Sequence, residues 1–128
     1  MTEKDLLRRW RQSANKNLKT AEDMLKSNHY DWALFIGQLE LEKLLKGLAA
    51  QKIHVAPPRI HDLNKLVEIA QIDLTENQKK DLAEITRFHI QARYDDVKYE
   101  LYKAATKKYT EKWFDKIREY FKWLKSLY

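Results

Sequence analysis

The chain has 128 residues, 44% of them hydrophobic and 34% charged, with a formal net charge of +6 and a pI near 9.4. That is enough for one domain with a buried core, and the basic balance favours an anionic partner such as nucleic acid, a nucleotide or an acidic protein. There is no cysteine, which excludes disulfides, thiolate metal sites and thiol nucleophiles; no apolar run reaches membrane-spanning length, and the charged start MTEKDLLRRW lacks the apolar core of a signal peptide, so a soluble cytoplasmic protein is expected.

Two glycines and two prolines leave little material for turns, so long regular elements are expected. Leu7, Trp10, Ala14, Leu18, Ala21 and Leu25 recur at steps of three and four and predict a helix from about Glu3 to Ser27. After the polar break Ser27-Asn28-His29, Asp31 is placed to cap a second helix from Trp32 to about Lys52. This second helix is apolar around most of its circumference, so it should be central. It also holds both glycines, Gly37 and Gly47, each costing about 1 kcal/mol against alanine. Their expected return is the close approach of another helix, from this chain or a partner subunit.

Ala56-Pro57-Pro58 is a rigid break. Asp62 is placed to cap a short third helix carrying Leu63, Leu66, Val67 and Ala70. Thr75 and Gln78 form a capping-box pattern that opens a fourth helix, with Leu82, Ile85, His89 and Ala92 on one face. Residues 97–109 read either as a short helix or as an irregular excursion. Thr110 is placed to cap the last helix, whose register is Trp113, Ile117, Phe121, Leu124 and Tyr128. With no repeat and no strand-like alternation, the expected architecture is all-α. It is an up-and-down bundle of about five helices in a single domain over residues 1–128, with a long N-terminal antiparallel hairpin.

Chemistry-bearing motifs are few. No glycine loop cradles phosphate, because both glycines are predicted mid-helix, and no spaced carboxylate set suggests a two-metal centre. His29, His54, His61 and His89 lack zinc-ligand spacing, so neither a metal nor another cofactor is expected. "EKLLK" pairs Glu42 with Lys46 one turn apart, which reads as an ion pair at a helix edge. "RIHDL" sets Arg59 and His61 before a helix start, either to hold an anion at the free amides or, for His61, to fix the loop by hydrogen bonding. The segment "ITRFHIQARYDDVKYELY", residues 85–102, concentrates Arg87, His89, Arg93 and Tyr94. His89 lies on the apolar face, and Arg93 is paired with Asp95 or bound to phosphate. Arginine suits bidentate phosphate contacts and aromatics stack on bases. A histidine beside an arginine also suits metal-free RNA cleavage, the one moving a proton and the other stabilising the phosphorane.

Four motifs in order, "NHYDWALF", "EKLLKGL", "PPRIHDL" and "QARYDD", resemble the HEPN domain (higher eukaryotes and prokaryotes nucleotide-binding) over nearly the whole chain. The resemblance implies an up-and-down helical bundle that commonly forms homodimers. Many such proteins act beside a minimal nucleotidyltransferase in a toxin–antitoxin pair, and the active ones are metal-independent RNases whose arginine and histidine stand four to six residues apart. Here His89 follows Arg87 by two positions, and no histidine follows Arg93. On a helix, positions two apart diverge by about 200°. The resemblance therefore implies binding of nucleotide or RNA rather than cleavage, with Arg93 and Tyr94 foremost and Arg87, Arg59, His61 and His89 behind them. The alternatives are a divergent metal-independent RNase toxin, with Arg87 and His89 as its candidates, and a non-catalytic helical interaction protein.

Overall fold

A computed structural model describes residues 1–93 and 95–128, with side-chain detail outside 90–99. Among the described residues there are six helices and no strand: α1 (Glu3–Lys26), α2 (Tyr30–Ile53), α3 (Leu63–Ala70), α4 (Glu76–Arg93), α5 (Asp95–Ala104) and α6 (Lys107–Ser126). No helix among them is long and apolar enough to cross a membrane.

The helix ends follow from local chemistry. Thr2 and Asp5 cap α1 reciprocally, each side chain accepting the other's backbone N–H at 3.1 Å. Asp62 Oδ1 accepts from the amides of Asn64 and Lys65, opening α3. The Thr75–Gln78 box forms as its sequence predicts, at 2.9 and 3.1 Å. Asn28, His54 and Gln71 adopt positive φ at 62°, 61° and 56°, turning the chain after α1, α2 and α3.

Two expected caps are corrected. α2 starts at Tyr30 with His29 at the N-cap position and no side-chain capping bond, so Asp31 lies inside the first turn, where its charge favours the helix dipole. α6 is capped by Thr106, whose hydroxyl accepts from the Tyr109 amide at 3.2 Å, whereas Thr110 is fully buried within the helix. The ambiguous stretch 97–109 divides accordingly: it is helical through Ala104, breaks at Ala105-Thr106, and resumes as α6. This is why there are six helices where about five were expected.

α1 and α2 form the long antiparallel hairpin, and α2 also contacts α3, α4, α5 and α6. Its central position matches its all-round apolarity: Leu34, Leu41, Leu44 and Leu45 are fully buried together with Phe88 from α4 and Ile117 from α6. The glycines serve contacts within this chain. A Cβ on Gly37 would meet Ile117 Cδ1 at 2.9 Å, and one on Gly47 would meet Trp10 Cβ at 3.0 Å and the Tyr128 hydroxyl. That hydroxyl donates to the Leu44 carbonyl at 2.7 Å, so the C-terminal residue is seated against α2. Thr86 joins α3 to α4, accepting from the Leu63 amide at 3.1 Å while donating to the Leu82 carbonyl at 2.8 Å.

Candidate functional site

Along one side of α2 runs the row Trp32, Phe35, Gln38, Glu42 and Lys46, at the steps of three and four that align side chains on a helix. The loop from His54 to Asp62 and the later half of α4 close over this row. The Pro57-Pro58 break and a bond from the Ile60 amide to the Pro58 carbonyl at 2.9 Å fix the loop, which sets His61 against Glu42.

A polar network results. His61 Nδ1 lies 2.8 Å from Glu42 Oε1, and Lys46 Nζ lies 3.1 Å from Glu42 Oε2. Gln38 Nε2 donates to both Glu42 Oε1, at 3.3 Å, and the His61 carbonyl, at 3.1 Å. Burial by itself would raise the Glu42 carboxyl. The bonds from His61, Lys46 and Gln38, with the Lys46 charge, outweigh it and hold the group below its usual range. The "EKLLK" pair is thus no edge feature. Glu42 is buried and Lys46 part-buried, with side-chain exposures of 4% and 13%, because the His61 loop lies against the carboxylate.

His89 enters from α4. It is buried, as its place on the apolar face implies, and its ring stacks on His61 with centroids 3.8 Å apart at an interplanar angle of 18°. Phe35 lies 5.4 Å from the His89 ring, tilted at 49°, and in turn meets Trp32 edge-on at 6.0 Å. Flat rings from α2, the loop and α4 therefore form a continuous series that includes Trp32, which is 41% exposed. Glu42, His61 and His89 each offer a ligand atom within 4.8 Å of the other two.

The structure thus brings His61 and His89 together and leaves Arg87 out. Arg87 is exposed and pairs with Glu84 at 3.3 Å, one turn back on α4, away from the buried His89. The predicted divergence of these two residues holds. Arg59 is exposed at the rim of the loop. The Arg93 side chain and Tyr94, with the suggested Arg93–Asp95 pair, lie outside the described residues. Sequence reasoning missed Glu42 and Gln38 as members of the site. The one available signal was the three–four spacing of polar residues along an otherwise apolar α2.

Comparison with known proteins bears on the same architecture. The HEPN domain family model matches residues 7–127. The crystal structure of TT1696 from Thermus thermophilus is similar with a TM-score of 0.77 and 22% identity, covering 94% of this chain and 96% of that one. At that identity the likeness speaks for the fold. Comparison with curated proteins gave no match. With the six-helix bundle and a family match spanning almost its full length, the chain belongs to the HEPN domain family.

Proposed function

We propose that this HEPN-domain protein is a nucleotide- or RNA-binding module working with a separate minimal nucleotidyltransferase in a toxin–antitoxin-like pair. The observation that carries the binding reading is the ring series Trp32–Phe35–His89–His61, with rim cations and a net charge of +6. Bases stack on flat side chains without strict sequence preference, and phosphates are drawn by arginine. In this reading Trp32 receives a base, His61 and Arg59 face phosphate, and Arg93, Tyr94 and Arg87 extend the contact along α4. Calorimetry with ATP and a short single-stranded RNA tests it. Binding is expected, and Trp32→Ala should weaken it by about 1–3 kcal/mol with an unchanged melting temperature. If neither ligand binds, the protein is a helical interaction module instead. The partner is tested by identifying what co-purifies with this protein: a minimal nucleotidyltransferase is expected, and its absence would remove that part of the reading.

One feature favours cleavage as a second reading. An ionised Glu42 accepting from His61 Nδ1 sets the tautomer whose Nε2 carries the lone pair, as a general base requires. RNA hydrolysis in chelator that disappears in His61→Ala would establish it.

We also propose that the protein is a homodimer. Leu6 and Val55 are exposed beside a pocket of α1 and the end of α2, and Leu127 is exposed at the neighbouring pocket. A second copy covering this end would remove that apolar surface from water. Light scattering should give twice 15.5 kDa, and a mass near 15.5 kDa at micromolar concentration would refute the dimer.

A further inference from the structure

We propose that Glu42, His61 and His89 form a binding site for one divalent transition-metal ion of the zinc or nickel type. The inference stands apart from the nucleotide reading, because the ligand set is complete without a nucleotide. It also adds a property that the family resemblance does not imply.

The three residues come from α2, the loop after it and α4, and one ligand atom from each lies within 4.8 Å of the other two. Nitrogen and oxygen ligands about 2.0–2.1 Å from a tetrahedral ion stand about 3.3 Å apart. His61 Nδ1 and Glu42 Oε1 are 2.8 Å apart and are bridged by a single proton. An ion taking that proton's place needs the pair to part by only a few tenths of an ångström, with release of the proton.

The surroundings are those of a held ligand. Lys46 binds Glu42 through Oε2, leaving Oε1 as the atom turned to His61. Gln38 fixes Glu42 Oε1 and the His61 carbonyl at once, orienting carboxylate and loop together. Two imidazoles and one carboxylate suit zinc, nickel, cobalt or copper, whereas magnesium and calcium require more oxygen ligands. The Lys46 ammonium opposes any cation here, which further disfavours ions that bind mainly through charge. Three protein ligands leave a fourth position for water or an anionic ligand, the arrangement of open zinc sites.

One rearrangement is required. Rings stacked at 18° point their in-plane lone pairs side by side, so one imidazole must turn for both to reach a single ion. Metal binding should therefore unstack His61 from His89, and this gives a readout in the wild-type protein.

The test is calorimetric titration of chelator-stripped, full-length protein with Zn²⁺, Ni²⁺, Co²⁺ and Mg²⁺. One Zn²⁺ per chain is expected at micromolar or tighter Kd, with no Mg²⁺ binding. Co²⁺ should give the visible absorption of a nitrogen–oxygen site, and the ring-proton resonances of two histidines should shift. Gln38→Ala should weaken Zn²⁺ by about 10- to 100-fold, and Glu42→Gln or His61→Ala by at least as much. His54→Ala serves as control, because His54 forms a separate, exposed pair with Glu3 at 2.6 Å. Absence of Zn²⁺ binding, or binding that survives Glu42→Gln and His61→Ala but falls with His54→Ala, would overturn the proposal. Should the ligand variants fail to fold, the wild-type cobalt spectrum and histidine shifts decide alone. Loss of nucleotide binding with the metal site intact would count against the nucleotide reading only.

Discussion

Glu40 and Glu42 stand two residues apart on α2, and both are buried, at 0% and 3% exposure. Two positions on a helix diverge by about 200°, so they face opposite sides of the bundle. Glu42 looks toward the loop and α4 and is engaged by His61, Lys46 and Gln38. Glu40 is on the α1–α6 side, where neither of its oxygens has a hydrogen-bond partner among the described residues. Burial, with the charge of Glu22 added, pushes its carboxyl up to about 9, and Arg118 offsets this only in part. The nearby cation is already engaged: Arg118 donates to both oxygens of Glu22, at 2.7 and 2.8 Å. The same residue type on the same helix at the same depth is thus ionised on one side and neutral on the other. Partners, not burial, set the difference.

The largest expected effect tests the engaged side. Glu42→Leu removes the acceptor shared by His61, Lys46 and Gln38, leaving a part-buried ammonium and a buried amide without it, so it should destabilise the protein by about 3 kcal/mol in urea unfolding. A change under about 1 kcal/mol would show that the network adds nothing to stability and would weaken the contrast with Glu40.

The next effect belongs to the neutral side. A carboxyl raised from 4.5 to about 9 binds its proton more tightly in the folded state. Its contribution is therefore fully present below pH 4.5 and declines as pH rises toward 9, by about 3 kcal/mol at pH 7. Glu42, held low, acts in the opposite sense, its contribution fading only as pH falls below the ordinary carboxylate range. The Glu40 part is isolated by comparing wild type with Glu40→Leu from pH 5 to 9, in chelator. The variant should be more stable at pH 7 by about 2 kcal/mol, since leucine leaves no polar group to desolvate. The gap should widen toward pH 9 and narrow toward pH 5. A gap that does not change with pH would mean that Glu40 is charged and partnered in solution.

These two glutamates also mark how far the sequence can be read. Helix existence and the Thr75–Gln78 cap are local, set within four residues, and were legible. The start of α6 was not: Thr110, expected as its cap, is buried in the core, and Thr106 one turn earlier caps the helix instead. His89 was placed on its apolar face by periodicity alone. Its stacking partner, His61, is 28 residues away, and no spacing rule links either residue to Glu42. The glutamate–lysine pair was recognised from its four-residue step, but its depth depends on the loop and α4 folding over it. The step to Lys46 sets Glu42 apart from Glu40, but the depth of both and the lack of a partner at Glu40 follow only from neighbours that arrive from α1 and α6 on one side and from the loop and α4 on the other.

The smallest effects come from the glycines that let the neutral side close, and they separate contact with a movable atom from contact with a fixed one. At Gly47, a methyl would collide with the Tyr128 hydroxyl and stand 3.0 Å from Trp10 Cβ, an atom anchored to the α1 backbone. Alanine's helix preference, about 1 kcal/mol, cannot offset both the displaced phenol and its lost bond to Leu44. Gly47→Ala should therefore destabilise by about 1 kcal/mol. Burial also holds the Tyr128 phenol above its ordinary range. The variant should consequently show one more tyrosine ionising near pH 10 in ultraviolet titration. At Gly37, by contrast, the nearest atom is Ile117 Cδ1, the free end of a flexible side chain, at 2.9 Å. A small rotation of that methyl relieves the contact, and the helix preference then cancels the remainder. Gly37→Ala should leave the melting temperature nearly unchanged and leave the pH dependence traced to Glu40 as it was. If it instead flattens that dependence, the added methyl has parted α2 from α6 enough to admit water. The missing partner of Glu40 would then be a consequence of tight packing at Gly37 rather than of the residues that surround it.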